Sequence, residues 1–171
     1  MRVLGIDPGM INMGYGVVDG GEEEVVLFNY GVLHSPIRET IGKRLSYLYN
    51  SLLEVISGSE PDVVAVEQPF VSSRNIKSAL AIGRAQAVAI LAAANRNIPV
   101  YEYTPTQVKQ RVADYGASSK EQIQEMVRLQ LGLTEVPQPS DAADALAVAI
   151  CHLREIRWSN LLDKQGVKEE G

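Results

Sequence analysis

The sequence predicts an α/β fold: a mixed five-stranded sheet, three antiparallel strands followed by parallel ones, with helices on both faces. Three observations predict it. Arg2 to Leu33 reads as three consecutive strands. Two later apolar runs, ending at Glu67 and Tyr103, are each preceded by a stretch of helical spacing. Aliphatic residues are abundant, whereas aromatic residues make up 6% of the chain, as in sheets covered by helices.

The first strand is Arg2 to Asp7 and the second Gly14 to Asp19. Asp19-Gly20-Gly21 makes the turn, and Glu24 to Leu33 is the third strand. A helix from about Glu39 to Ser57 places Ile41, Leu45, Leu48, Leu52 and Val55 on one face. Ser57 to Pro61 breaks the chain before the strand Asp62 to Glu67. A Pro-containing loop then leads to an Ala-rich helix, Asn75 to Asn95, able to approach a neighbour closely. Val100 to Tyr103 is the fifth strand. Thr104-Pro105 starts a helix to about Val112, with Pro at its first position. Ser118-Ser119-Lys120-Glu121 reads as a capping box opening a helix to Leu131. Ser140 caps the last long helix, Asp141 to about Arg157. The right-handed crossover rule puts the fourth strand beside the first, so Asp7 and Glu67 end neighbouring strands.

A length of 171 residues favours one domain. We assign it to residues 1–157, with a polar, frayed tail over 158–171. The single cysteine, Cys151, lies among apolar helix residues and reads as a small buried hydrophobe. With no disulfide framework and no signal-peptide pattern, a cytoplasmic protein is expected. The apolar runs read as too short or too polar to span a bilayer. The net charge of −5 argues against nucleic acid, but its distribution is uneven. From Arg74 to Arg128, eight basic residues against four acids leave that stretch at +4 and the remainder at −9.

Four carboxylates stand where structure alone explains them poorly. Asp7 and Glu67 each end a buried strand, at the rim where α/β ligand sites form. Asp141 and Asp144 lie three apart at the start of a helix and share a face. If they converge, they form an oxygen-rich cage for hard divalent metals, which points to metal-assisted phosphodiester chemistry. Each motif also has a plainer reading. Asp7-Pro8-Gly9 suits a hairpin with a capping Asp, although Gly5, Gly9, Gly14 and Gly16 allow close approach and tight turns around the acid. One acid in a first helical turn suits the helix dipole; two, flanked only by Ala, leave room for a metal and a phosphate. Phe70, after Glu67-Gln68-Pro69, can stack on bases or fold back into the core. Lys109 and Lys120 border the Gly116 loop and can reach phosphates or merely decorate the surface. Arg74, Lys77 and Arg111 of the basic stretch are further candidates for DNA contact. His34 and His152 are isolated and read as structural or surface residues, not zinc ligands.

Together these segments strongly resemble the RuvC family, the bacterial Holliday junction resolvases of the RNase H-like superfamily. The resemblance runs from Arg2 to about His152. It is carried by Gly5-Ile6-Asp7-Pro8-Gly9, Val66-Glu67-Gln68-Pro69-Phe70, Thr106 through Gly116 to Lys120, Gln122 to Val127, and Asp141-Ala142-Ala143-Asp144-Ala145-Leu146-Ala147. It implies an RNase H-like fold in which Asp7, Glu67, Asp141 and Asp144 are the catalytic metal-binding acids. Phe70 is then the loop aromatic near the crossover, and Lys109 and Lys120 are DNA-contacting lysines. It further implies a homodimer using two Mg²⁺ per active site, with Mn²⁺ able to substitute. The activity implied is symmetric nicking of two strands of like polarity across a four-way DNA junction, leaving ligatable 5′-phosphates, in recombination and repair alongside RuvA–RuvB. Two metals would activate water and stabilise the leaving 3′-oxygen, with Asp7 our choice of bridging ligand. A two-fold dimer matches a two-fold junction.

The chain departs from the family pattern at two places. Asp114 stands where the family usually has Gly, an added acid that weakens phosphate binding unless a neighbour such as Arg111 offsets it. In Gly83-Arg84-Ala85 the Arg is displaced from the usual Ala-Arg-Gly. Two other functions keep most of these features: an RNase H-like nuclease acting on RNA or other branched DNA, and a junction-binding protein that does not cut. The second needs a lost acid, and none is lost. An actin-like ATPase or sugar kinase needs a much longer, two-lobed chain.

Overall fold

Arg2 to Asp7 has no turn-forming break and a continuous apolar stretch, which suits a strand covered on both faces. In the computed structural model, which describes residues 1–20, 24–71, 74–113 and 116–164, this segment is the central strand. The strands are β1 (Arg2–Asp7), β2 (Asn12–Gly20), β3 (Val25–His34), β4 (Val63–Glu67) and β5 (Val100–Tyr103). They form one five-stranded sheet in the order β3-β2-β1-β4-β5. β1 pairs antiparallel with β2, and β2 with β3; β1 pairs parallel with β4, and β4 with β5. The helices are α1 (Ile41–Ser59), α2 (Ile76–Ala94), α3 (Pro105–Ala113), α4 (Lys120–Gln130) and α5 (Ser140–Lys164).

Two cores flank the sheet. On one face Leu48, Leu52 and Ile56 of α1 and Ala85, Ala89, Ala92 and Ala93 of α2 pack with Leu4, Ile6, Val64 and Val66. On the other, α5 lies against β1 and β2, and α3 and α4 pack on α5. Buried between sheet and helices, α5 is apolar all round from Ala142 to Ala149, with Asp144 the exception.

Glycine and alanine set how deeply α5 sits. A Cβ on Gly14 would fall 2.0 Å from the Asp141 carbonyl oxygen, and one on Gly5 would fall 2.1 Å from that of Ala145. The helix backbone therefore rests directly on the sheet, and Ala142, Ala145 and Ala149 keep the gap closed. This seat brings the start of α5 beside the end of β1.

The mixed five-stranded sheet and the place of β4 beside β1 agree with the sequence expectation; several boundaries differ. Gly20 belongs to β2, and Gly21 lies outside the described residues, so the Asp19-Gly20-Gly21 turn is described only in part. The capping box is one residue later than expected. Ser119 Oγ accepts from the Gln122 amide at 3.2 Å, and Gln122 Oε1 accepts from the Ser119 amide at 2.8 Å. Gln serves at the third helical position as well as Glu does, which leaves Ser118 to be buried. Ser140 is the first residue of α5, not its cap, and the helix continues through Lys164 past the expected end at Arg157. Contacts there hold it: Arg157 donates to the Glu24 carbonyl, and Arg111 lies over the Trp158 ring at 5.8 Å from its centroid. Finally, α2 is long and apolar enough, by length and composition, to cross a membrane, contrary to the expectation. Its apolarity has a packing cause, since its buried alanines face α1 and the sheet.

Candidate active site

The parallel register pairs Ile6 with Val66, so Asp7 and Glu67 leave adjacent strands side by side. The seat of α5 adds Asp144 from its second turn. These three acids line one cleft of about 380 Å³ with Lys109 of α3 and Lys120 of α4. Its apolar wall is Pro105, Val108, Ile123 and Ala147. Asp141 does not line the cleft, but its charge acts on Asp7 and Lys120.

The electrostatics are those of acids crowded without enough cation. Burial, then the charges of Glu67, Asp144 and Asp141, push Asp7 up to about 8, with Lys120 pulling it down. Burial, then Asp144, pushes Glu67 up to about 7 against Lys120 and Lys109. Lys120 is the main local compensation: its ammonium lies 2.5 Å from Asp144 Oδ2. Burial lowers the Lys120 pKa, but the hydrogen bond and charge of Asp144, with Asp7 and Asp141, outweigh it and leave it raised. Gln124, one turn along α4, donates from Nε2 to Asp144 Oδ1 at 3.2 Å. Sequence reading passed over Gln124; its i,i+4 spacing from Lys120 was the available signal.

The other candidates separate. Phe70 does not fold back into the core; it is 68% exposed in the loop after β4, where Asn75 Nδ2 donates to its carbonyl at 2.9 Å. Arg74 and Lys77 are exposed at the start of α2, outside the cleft. Lys109 sits in the middle of α3. Arg111 is not brought to the cleft. Its guanidinium is ion-paired with Glu155 and lies over Trp158, linking α3 to α5 outside the cleft. Asp114 lies outside the described residues. His152 is buried, with Nδ1 2.7 Å from the Tyr103 hydroxyl; His34 is exposed and 2.9 Å from Asn12 Oδ1. Both agree with the structural or surface role expected of them. Cys151 is buried as expected, and burial pushes its thiol up to about 12.

Among the described residues, no three acid, His or Cys side chains are already close enough to clasp a metal ion. The donor set nevertheless fits a hard divalent cation: every candidate ligand is a carboxylate, and the raised Asp7 and Glu67 mark a deficit of positive charge.

The sequence profile of the family Crossover junction endodeoxyribonuclease RuvC matches residues 3–152. The chain belongs to the RuvC family. It is 56% identical over 164 residues to the RuvC of a Dehalococcoides mccartyi strain, covering 96% of this chain and 98% of that one. It is 49% identical to the RuvC of Thermomicrobium roseum, over 94% of this chain and 98% of that one. Among solved structures, Thermus thermophilus RuvC in complex with a Holliday junction substrate superposes with a TM-score of 0.86 at 39% identity, covering 93% of this chain and 96% of that one. A yeast mitochondrial Holliday junction resolvase shares the fold, with a TM-score of 0.66 at 18% identity, over 96% of this chain and 86% of that one.

Proposed function

We propose that this chain is a metal-dependent endonuclease that resolves four-way DNA junctions in recombination and repair, nicking two strands of like polarity and leaving 5′-phosphates. The observation that carries this reading is the cleft itself: Asp7, Glu67 and Asp144 face two lysines across it. RuvC membership, and a relative whose solved structure holds a Holliday junction substrate, supply the substrate class.

Asp7, Glu67, Asp141 and Asp144 would hold the divalent cations, two Mg²⁺ in our reading, with Mn²⁺ able to substitute. Bound there, such cations supply Lewis acidity that makes water a nucleophile at neutral pH and offsets charge on the leaving 3′-oxygen. The chain does the rest. Asp7, on which the charges of Glu67, Asp144 and Asp141 all act, would be the ligand common to the cations. Lys109 and Lys120 bind phosphates beside the scissile bond. Phe70, on its exposed loop, stacks on a base at the crossover. Arg74 and Lys77, nearby at the start of α2, extend the contact along the backbone. Pro105, Val108, Ile123 and Ala147 exclude water from one wall.

The same reading includes a homodimer. Ile76, Leu80 and Leu91 are exposed on α2 at 54%, 61% and 53%. With Gly83 and Ala87 between them, they follow a heptad-like spacing. A Cβ at Gly83 would meet nothing within 4 Å, so a second helix can lie close there. A dimer across this stripe gives the exposed face of α2 a protein partner and presents two clefts to a two-fold junction. A cytoplasmic location and cooperation with RuvA–RuvB belong to this reading through family membership alone.

The test is cleavage of a synthetic four-way junction in Mg²⁺ and Mn²⁺, with linear duplex, a three-way fork and an RNA–DNA hybrid alongside. Paired symmetric nicks confined to the junction are expected. Cutting of the hybrid instead would overturn the substrate; junction binding without cutting in either metal would overturn the activity. Sedimentation of wild type and Leu80→Glu tests the dimer: the variant should run as a monomer, and a monomeric wild type would refute the α2 interface.

A further inference from the structure

Resting on the metal-dependent reading above, we infer that Gln124 is a positioning residue that fixes the Asp144 carboxylate for metal binding. α4 is anchored at its start by the Ser119–Gln122 capping box and on its inner face by buried Ile123 and Val127. One helical turn separates Lys120 from Gln124, so both side chains leave the same face toward α5. They divide the Asp144 carboxylate between them, with Lys120 on Oδ2 at 2.5 Å and Gln124 on Oδ1 at 3.2 Å.

The two contacts differ in kind. Lys120 is a cation on a flexible stem, 54% exposed; a divalent cation competes with it for Asp144, and a DNA phosphate competes with Asp144 for it. Gln124 is neutral and half-buried. It gains nothing from leaving a carboxylate for a phosphate and does not repel a cation. Asp144 is acceptor-only when ionised, so Gln124 must present its amide N–H, and this occupies one lone-pair direction of Oδ1 and leaves the second open. When Lys120 turns away, Gln124 still holds the rotation of the carboxylate. Outer hydrogen-bond partners of metal-ligating carboxylates typically change metal affinity or activity by about 10–100-fold when removed.

The test is calorimetric titration of Mn²⁺ into the full-length protein without DNA, for wild type and Gln124→Met. Methionine keeps about the same length and bulk and removes the amide, and with it the donor to Asp144. We expect the Mn²⁺ Kd of the variant to rise about tenfold. Junction Kd in EDTA, and the melting temperature in EDTA, should stay at wild-type values, which a general packing defect would not leave in place. Gln124→Ala repeats the measurement should the methionine chain disturb α4. Mn²⁺ affinity within twofold of wild type in either well-folded variant overturns the inference while leaving the proposed function standing. A wild-type protein that takes up no Mn²⁺ even with the junction bound overturns both.

Discussion

Lys120 holds Asp144 at 2.5 Å, so an acid of the candidate metal site already has a cation on it. With Lys120 more than half exposed, solvent screens the pair and it adds only about 0–1 kcal/mol to stability. Its consequence here is for binding. A metal arriving at Asp144 competes with an ammonium, and a phosphate arriving at Lys120 removes that competitor. Metal and DNA binding are thereby linked through one side chain, each favouring the other.

Lys120→Met should therefore have opposite effects on two measurements. Mn²⁺ binding to the DNA-free protein, by calorimetry at pH 9, should tighten about tenfold, equivalent to about 1.4 kcal/mol. Junction cleavage at saturating Mn²⁺ should fall, because the phosphate contact is lost. Weaker metal binding in the variant would show that Lys120 organises the acids instead of competing for them.

Much of this site was legible in the sequence because a strand end is a local signal. Asp7 and Glu67 each close an apolar run, and the crossover rule puts their strands together. The depth of the α5 seat was not legible. The glycines of β1 and β2 read as allowing close approach and tight turns around Asp7, but not what approaches: the α5 backbone, at Gly5 and Gly14. Which residues meet across that interface depends on packing between segments far apart in the chain. The partners of Arg111 were not legible for the same reason: Glu155 and Trp158 lie on α5, more than 40 residues further along the chain.

That seat gives a prediction about stability. Gly14→Ala would put a methyl group 2.0 Å from the Asp141 carbonyl oxygen, so α5 must rise off the sheet and carry Asp141 and Asp144 with it. We expect a loss of about 3 kcal/mol or more, in the range reserved for core overpacking and strain. Gly42→Ala in α1, where a Cβ meets nothing within 4 Å, should instead gain up to about 1 kcal/mol from helix propensity. Urea denaturation of both variants measures the contrast. Equal, small effects would mean that the α5 contact is soft.

The acids also fix a pH dependence. Asp7 at about 8 and Glu67 at about 7 in the folded chain lie above their unfolded values of 3.8 and 4.5. The folded state thus binds more protons than the unfolded state between those limits. Stability of the metal-free protein is then highest below about pH 4, as far as these two groups are concerned, and is lost as pH rises through about 8. Metal binding requires the deprotonated acids, so its affinity should climb over the upper part of the same window. Melting curves in EDTA and in Mn²⁺ from pH 5 to 9 should therefore diverge with rising pH. Parallel curves would show that Asp7 and Glu67 titrate near their ordinary values.

Asp7→Asn joins both arguments and should act with opposite signs on function and stability. The substitution keeps the shape of the side chain and removes its charge from the most crowded position. Cleavage should vanish, since the oxygen proposed to be shared by two cations becomes an amide. Junction binding in EDTA should persist, because the phosphate contacts come from Lys109 and Lys120. At pH 8 the metal-free variant should be more stable than wild type by on the order of 2 kcal/mol, because the cost of holding a buried carboxylate among like charges is gone. The gain should shrink toward pH 4, where wild-type Asp7 is protonated anyway. Denaturation in EDTA at the two pH values, with a gel-shift assay on the same preparations, measures all three effects. A variant that lost cleavage and stability together would make Asp7 a structural residue first, and a variant that still cut the junction would remove it from the chemistry.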